Sequence, residues 1–139
     1  MIRAALREDF PAVWALAKAL YAAQGMFRLR EDKARAAIAA AVDAGRCLVA
    51  EAGGIIVGYA AYRIGADWYS DEQVMTDMGL FVDPAHRRSR AALGLLNAMK
   101  REARARGLRF LPGCGGKTQE SARLFARGFK QVGITFEAK

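Results

Sequence analysis

Apolar residues in this chain change their spacing several times, and each change marks an element. Val13, Leu16, Ala17 and Leu20 recur every three or four positions behind Phe10 and Pro11, which predicts a helix with Asp9 as its cap. A second helix is expected from about Glu31, where Ala34, Ile38, Ala41 and Val42 share one face and Gly45 supplies a stop. Arg46 to Ala52 and Ile55 to Ile64 then read as strands around Gly53-Gly54, a turn in which both glycines can take positive φ, so the pair forms a hairpin. Ile2 to Ala5 and Gln73 to Asp83 are further strands, and Gly65 to Asp71 is a loop carrying Trp68 and Tyr69. Beyond Ser89, read as a cap, Ala92, Leu95, Leu96, Met99 and Ala103 mark the buried face of a long helix. Leu108 to Leu111 is a strand, Gln119 to Ala126 a short helix and Gln131 to Phe136 a last strand. The order β-α-α-β-β-β-α-β-α-β implies an α/β (α+β) fold, a mixed and mostly antiparallel sheet flanked by helices, with one β-α-β crossover in its later half.

At 139 residues the chain fits one domain, residues 1–139, large enough to bury roughly two-thirds of its unfolded surface. No apolar run approaches the roughly 20 residues needed to span a membrane. The segment MIRAALREDF lacks the apolar core of a signal peptide, so a cytoplasmic protein is expected. Cys47 and Cys114 have neither zinc-site nor redox-motif spacing and are expected to be buried free thiols, with no metal site.

The net charge of +8 is unevenly spread. Residues 84–130 hold twelve Lys or Arg against Glu102 and Glu120, whereas residues 71–83 hold Asp71, Glu72, Asp77 and Asp83 with no base. Such neighbouring zones suit an anionic ligand beside a cationic one. A nucleic-acid binder would also be basic, but its basic residues should alternate with exposed aromatics or lie on a groove-fitting helix. Leu95, Leu96 and Met99 instead commit this helix to a core.

The densest chemistry lies between Leu80 and Arg106. Pro84 ends the strand LFVDP, and AHRRSR leads into the long helix. A helix start offers unpaired N–H groups and the positive end of its dipole, and Arg87, Arg88 and Arg90 add charge there, so the segment reads as a cradle for a pyrophosphate.

The string VDPAHRRSRAALGLL, Val82 to Leu96, resembles the acyl-CoA-binding segment of the GNAT-type N-acetyltransferase superfamily, with the pattern V-x-P-x-x-R/Q-x-x-G-x-G/A. Arg87 falls on the R/Q, Arg90 on the first glycine and Ala92 on the closing G/A. The arginine in place of glycine departs from the pattern, and Arg-Gly-Ser-rich variants of this kind resemble the phage-encoded branch. IRAALREDF resembles the family's opening, and SARLFARGFKQVGITFEAK its closing helix, Gly-Phe turn and last strands. The resemblance implies acetyl-CoA as cosubstrate, bound by Leu80, Phe81, Val82, Arg87, Arg88, Ser89, Arg90, Ala91 and Ala92. It also implies an amine-bearing small molecule or peptide as acceptor, and dimers are common in the family. Two other readings stay open: a GNAT-fold acyl-CoA-binding or interaction protein with little catalysis, and a basic nucleic-acid-binding domain.

Acetyl transfer needs a base for the acceptor's ammonium proton. Some members carry a glutamate eleven residues before the R/Q, but that position is Thr76. Glu72 and Asp77 are the candidates, Asp77 requiring a bulge to bring it to the same face. The tyrosine that many members place in the last helix falls on Leu124. Tyr62, Trp68 and Tyr69 are expected to shape the acceptor pocket, and the thiolate either leaves unassisted or is helped by water, Ser121 or a tyrosine of the middle loop. PGCGGKT, Pro112 to Thr118, ends like a phosphate-binding P-loop, yet Leu111 stands where that motif needs its first glycine, so a nucleotide hydrolase is disfavoured.

Overall fold

The computed structural model describes residues 1–113, 123, 125–133 and 136–139. Among the described residues the sheet has five strands: β1 (Ile2–Ala4), β2 (Cys47–Ala52), β3 (Ile55–Gly65), β4 (Val74–Val82) and β5 (Arg109–Phe110). They lie side by side in chain order, antiparallel except for the β4–β5 pair, which is parallel. Gly53 and Gly54 take φ of 58° and 79°, the mirror-image turn whose twist matches the strands it joins.

Helices α1 (Phe10–Gln24) and α2 (Glu31–Asp43) cover one face of the sheet, and α3 (Ala91–Ala105) covers the other while carrying the crossover from β4 to β5. Val13, Ala17 and Ile38 pack on Val49, Tyr59, Ala61 and Phe81. Leu95, Leu96 and Met99 pack on Ala60, Tyr62, Met75 and Val82. Successive residues of β3 thus alternate between two buried faces, which is why that strand is almost continuously apolar in sequence. Each fully buried Leu or Ile contributes about 1.5–3 kcal/mol of hydrophobic stabilisation.

Three expectations need correction. Asp9 does not cap α1: a 3-10 turn, Arg7–Asp9, precedes the helix, and the buried Asp9 carboxylate turns back to accept from the Leu6 amide at 2.8 Å and from both terminal nitrogens of Arg3 at 2.7 and 3.1 Å. Those partners hold its carboxyl below the ordinary carboxylate range, the Arg3 hydrogen bonds outweighing its removal from water. Ser89 lies one position ahead of the cap. Its Oγ accepts from the Ala91 amide at 3.2 Å and donates to the His86 carbonyl at 2.6 Å, tightening the turn before the helix.

The third concerns the C-terminal segment. Gln131–Gly133 and Phe136 belong to no strand, while Ile134, Thr135 and most of the expected helix 119–126 lie outside the described residues. Arg123 and Phe125 are helical. Phe129 meets both Phe125 and Phe110 edge-on, with centroids 5.6 and 5.8 Å apart, so the segment folds back on the α3 face. Cys47 is a buried free thiol whose pKa burial pushes up to about 12, and Cys114 lies outside the described residues. No described helix is long and apolar enough to cross a membrane.

Candidate active site

β4 and β5 share two register pairs, Val74 with Arg109 and Met75 with Phe110. The Leu111 amide donates to the Met75 carbonyl at 2.9 Å, and beyond that bond the strands part. From Asp77 to Val82, the edge of β4 turned away from β3 has no strand beside it among the described residues. Open backbone groups within a sheet demand a partner from outside it.

Along this seam the ladder with β3 slips. Ala61 pairs with Gly79 and Tyr62 with Asp77, leaving Met78 as an extra residue in a β-bulge. The bulge puts Asp77 in register with the face of Leu80 and Tyr62, and Thr76, opposite Arg63, on the other face. Asp77 Oδ1 accepts the Gly113 amide at 2.8 Å, a side chain bridging the seam where backbone pairing has stopped. Burial pushes the Asp77 carboxyl above the ordinary carboxylate range, against the opposing pull of the Gly113 hydrogen bond and the Arg63 charge.

Asp77, Met78, Gly79 and Gly113 form one wall of a cavity of about 710 Å³. The other walls come from the end of α1, the connection 25–30 and the first turns of α2, including Tyr21, Phe27, Arg28, Arg30 and Lys33. Burial raises the Tyr21 phenol above its usual pKa, so it stays protonated. This wall escaped the sequence reading. Its signal is present in Met26-Phe27-Arg28-Leu29-Arg30, where apolar and basic residues alternate between two helices.

The structure separates several residues that the sequence grouped. Glu72 is exposed, pairs with Arg109 at 3.5 Å and does not line the cavity. Asp83 accepts the Ala85 amide at 2.9 Å, so of the acidic stretch 71–83 only Asp77 reaches the cavity wall. Tyr62 is buried under α3, where its hydroxyl donates to Glu102 and accepts from Arg106, both at 3.3 Å. Trp68 and Tyr69 are exposed and pack edge-on against each other, away from the cavity. The aromatic residues that line the cavity are Tyr21 and Phe27.

The Leu80, Phe81 and Val82 side chains pack into the two cores, leaving their backbone to face the seam. After a single 3-10 turn, Pro84–His86, the Arg87 side chain turns back so that Nε donates to the Val82 carbonyl at 3.2 Å and the guanidinium lies 5.2 Å from the Phe81 ring centroid. Arg87 thus braces the strand end. Arg88 and Arg90 are exposed and form no ion pair among the described residues. Arg90 takes φ −85° and ψ 14°, so the backbone at the position of the pattern's glycine requires no glycine. The first helical bond of α3 runs from the Gly94 amide to the Arg90 carbonyl at 2.9 Å, and the amides of Ala92 and Leu93 are left at the helix start. Below this turn His86 Nδ1 is buried without a hydrogen-bond partner among the described residues. Free amides, two exposed arginines and an open strand edge fit a long ligand with an anionic end. No metal-binding group of three or more His, Cys, Asp or Glu occurs among the described residues.

The bulged fourth strand thus parts from a parallel fifth and ends at a cationic helix start. Residues 2–129 match the model of the Acetyltransferase (GNAT) family, and the chain belongs to that family. Among similar solved structures is a GCN5-related N-acetyltransferase from Ralstonia eutropha JMP134, 20% identical, with a TM-score of 0.80 and coverage of 100% of this chain and 97% of that one. The aminoglycoside N-acetyltransferase AAC(6')-Iy in complex with CoA is 20% identical, with a TM-score of 0.78 and coverage of 100% and 93%. A ribosomal-protein-alanine N-acetyltransferase from Brucella melitensis biovar Abortus 2308 is 13% identical, with a TM-score of 0.75 and coverage of 100% and 98%. At these identities the likeness is one of fold. A comparison with curated proteins gave no match.

Proposed function

We propose that the protein is an acetyl-CoA-dependent N-acetyltransferase in which Asp77 accepts the acceptor's proton and the seam between β4 and β5 holds the acetyl donor. The observation that carries this reading is the presence on one strand of three features: β4 leads through a cationic turn to the start of α3, its edge is open from Asp77 onward, and Asp77 itself lines a cavity of about 710 Å³. Acetyl-CoA supplies a thioester, reactive once an amine is neutral and positioned. Arg88, Arg90 and the Ala92 and Leu93 amides would hold its phosphates, and the backbone from Leu80 to Val82 its pantetheine arm.

Asp77 takes a proton from the acceptor's ammonium, directly or through water. The neutral nitrogen forms a C–N bond to the thioester carbonyl carbon, the C–S bond breaks with its electron pair going to sulfur, and the second proton lost by the nitrogen is balanced by the one the thiolate takes up. The Met78 amide, displaced from the ladder by the bulge, is the candidate donor to the carbonyl oxygen. Tyr21 is the hydroxyl on the cavity wall available to the thiolate in place of a last-helix tyrosine. The reading carries with it a cytoplasmic location and the phage-related branch suggested by the Arg-Ser-rich loop.

The test is calorimetric titration with acetyl-CoA, desulfo-CoA and ATP, followed by thiol release in the presence of amines. Micromolar acetyl-CoA binding with much weaker ATP binding, and amine-dependent thiol release, are expected. Binding without release under any amine would leave an acyl-CoA-binding protein, and no binding at millimolar ligand would overturn the reading.

A further inference from the structure

The charge of the acceptor-side cavity runs opposite to that of the strand behind it. Among the described lining residues the only acid is Asp77, whereas Arg28, Arg30 and Lys33 are all basic. Arg30 is held by Asp32, with bonds of 3.0 and 3.2 Å, but Arg28 and Lys33 have no acidic partner within ion-pair distance among the described residues. The same cavity is lined by the apolar side chains of Met26, Phe27, Leu29 and Met78, and Phe27 is 86% exposed. A large ring left in water beside an open cavity gains by being covered. The volume is that of a small-molecule site.

We propose that the acceptor is a small primary amine that also carries a carboxylate and an apolar body, an amino-acid-like molecule rather than a polyamine or an aminoglycoside. This rests on the acetyl-transfer reading above. The amine would approach Asp77, the carboxylate would meet Arg28 and Lys33, and the apolar body would cover Phe27 and Met26. A polycation faces the reverse situation, with one carboxylate for its amines and a rim of like charge that lowers its local concentration. Transfer to such an acceptor balances as before: the amine nitrogen gains the acetyl group, its released protons pass to Asp77 or water and to the thiolate, and the acceptor's carboxylate is unchanged.

Two measurements separate this inference from the reading it rests on. Titration of the full chain with N-acetyl-L-methionine and with N-acetyl-L-methioninamide, followed by NMR, reports the cavity alone. The carboxylate is expected to bind about tenfold more tightly than the amide, and Arg28→Gln with Lys33→Gln should abolish the difference while leaving the folded spectrum intact. Thiol release from acetyl-CoA is then compared for L-methionine, L-methioninamide and an aminoglycoside, with the lowest KM expected for the carboxylated amine. Selective carboxylate binding without thiol release from any amine would keep the inference about the cavity and sink the transferase. Equal binding of acid and amide, no binding of the acid at millimolar concentration, or turnover favouring the aminoglycoside would overturn the inference itself.

Discussion

Gly79 lies against the phenol of Tyr59: a Cβ placed on the glycine would sit 2.5 Å from the Tyr59 oxygen and 2.8 Å from Leu20 Cδ2. The Tyr59 hydroxyl is buried without a hydrogen-bond partner among the described residues, and burial holds its pKa far above that of an ordinary phenol. The bulged strand therefore passes over the α1-side core with no space for a side chain at this point. Gly79→Ala should destabilise by about 1–3 kcal/mol through overpacking. Tyr59→Phe removes an unsatisfied hydroxyl and should be neutral or stabilising by about 1 kcal/mol. Combined, the two should couple, with only partial recovery because Leu20 remains. Urea denaturation of the four proteins measures the coupling, and strict additivity would mean the alanine clashes with something other than the phenol.

Asp77→Asn keeps an acceptor for the Gly113 amide and removes the base. A fall of about 10²–10⁴ in kcat/KM is expected, with loss of the acidic limb of the pH–rate profile. Stability should move the other way. Because the folded state raises this pKa, the contribution of the protonated acid is complete below the ordinary 3.8 and is lost as pH rises through the raised value. The variant should thus melt above the wild type at pH 7, with the gap closing below pH 3.8. An unchanged pH–rate profile in the asparagine variant would remove Asp77 from the chemistry.

If Arg88 and Arg90 grip phosphate, each alanine substitution should weaken CoA binding by about 1.5–3 kcal/mol, the range for charge-assisted hydrogen bonds. The loss should shrink in high salt. Arg104→Ala, in the last turn of α3, is the matched control and should leave affinity unchanged. Calorimetry gives both values, and equal effects at the three positions would indicate general charge attraction with no localised site.

Arg3 joins Asp9 and, at 3.3 Å through Nε, Glu51, tying β1 to the first turn and to β2. Asp9 is held below 3.8 in the folded state, so its contribution is present above 3.8 and fades as pH falls through the depressed value. Arg3→Met should lower Tm at pH 7 and approach the wild-type value in acid. Melting curves across pH 2–7 would test this, and a constant difference would point to packing of the Arg3 stem.

Much of the fold was legible because both faces of the sheet are buried and both helical faces are strongly periodic. Ile38 and Leu95 fall where their spacing puts them, and the double-glycine turn sets the Ala52–Ile55 and Glu51–Ile56 pairs, beyond which a bulge at Val57 shifts the ladder. Asp9 misled because a cap residue was judged by its neighbours in sequence, while Arg3, six residues earlier, competes for the same carboxylate. The site was legible only in part. The arginine loop announces itself by composition, but the Met78 bulge has no marker in the string VMTDMGLFV beyond the glycine that follows it. Acidic residues close in sequence were also pulled apart by local partners: Arg109 took Glu72, and the Ala85 amide took Asp83.

The wedge-shaped seam hangs on the weakest join in the sheet. β2, β3 and β4 are joined by long antiparallel ladders and β1 adds three pairs, whereas β5 adds two residue pairs at the end of a crossover through α3. Such a join closes a long loop and assembles after the local hairpins. It is also the first to yield in native-state fluctuations, so amide exchange at Leu111 and Gly113 should outpace that of the β2–β3 hairpin. Substitutions in β5 should therefore change the exchange of these two amides while the global melting temperature hardly moves.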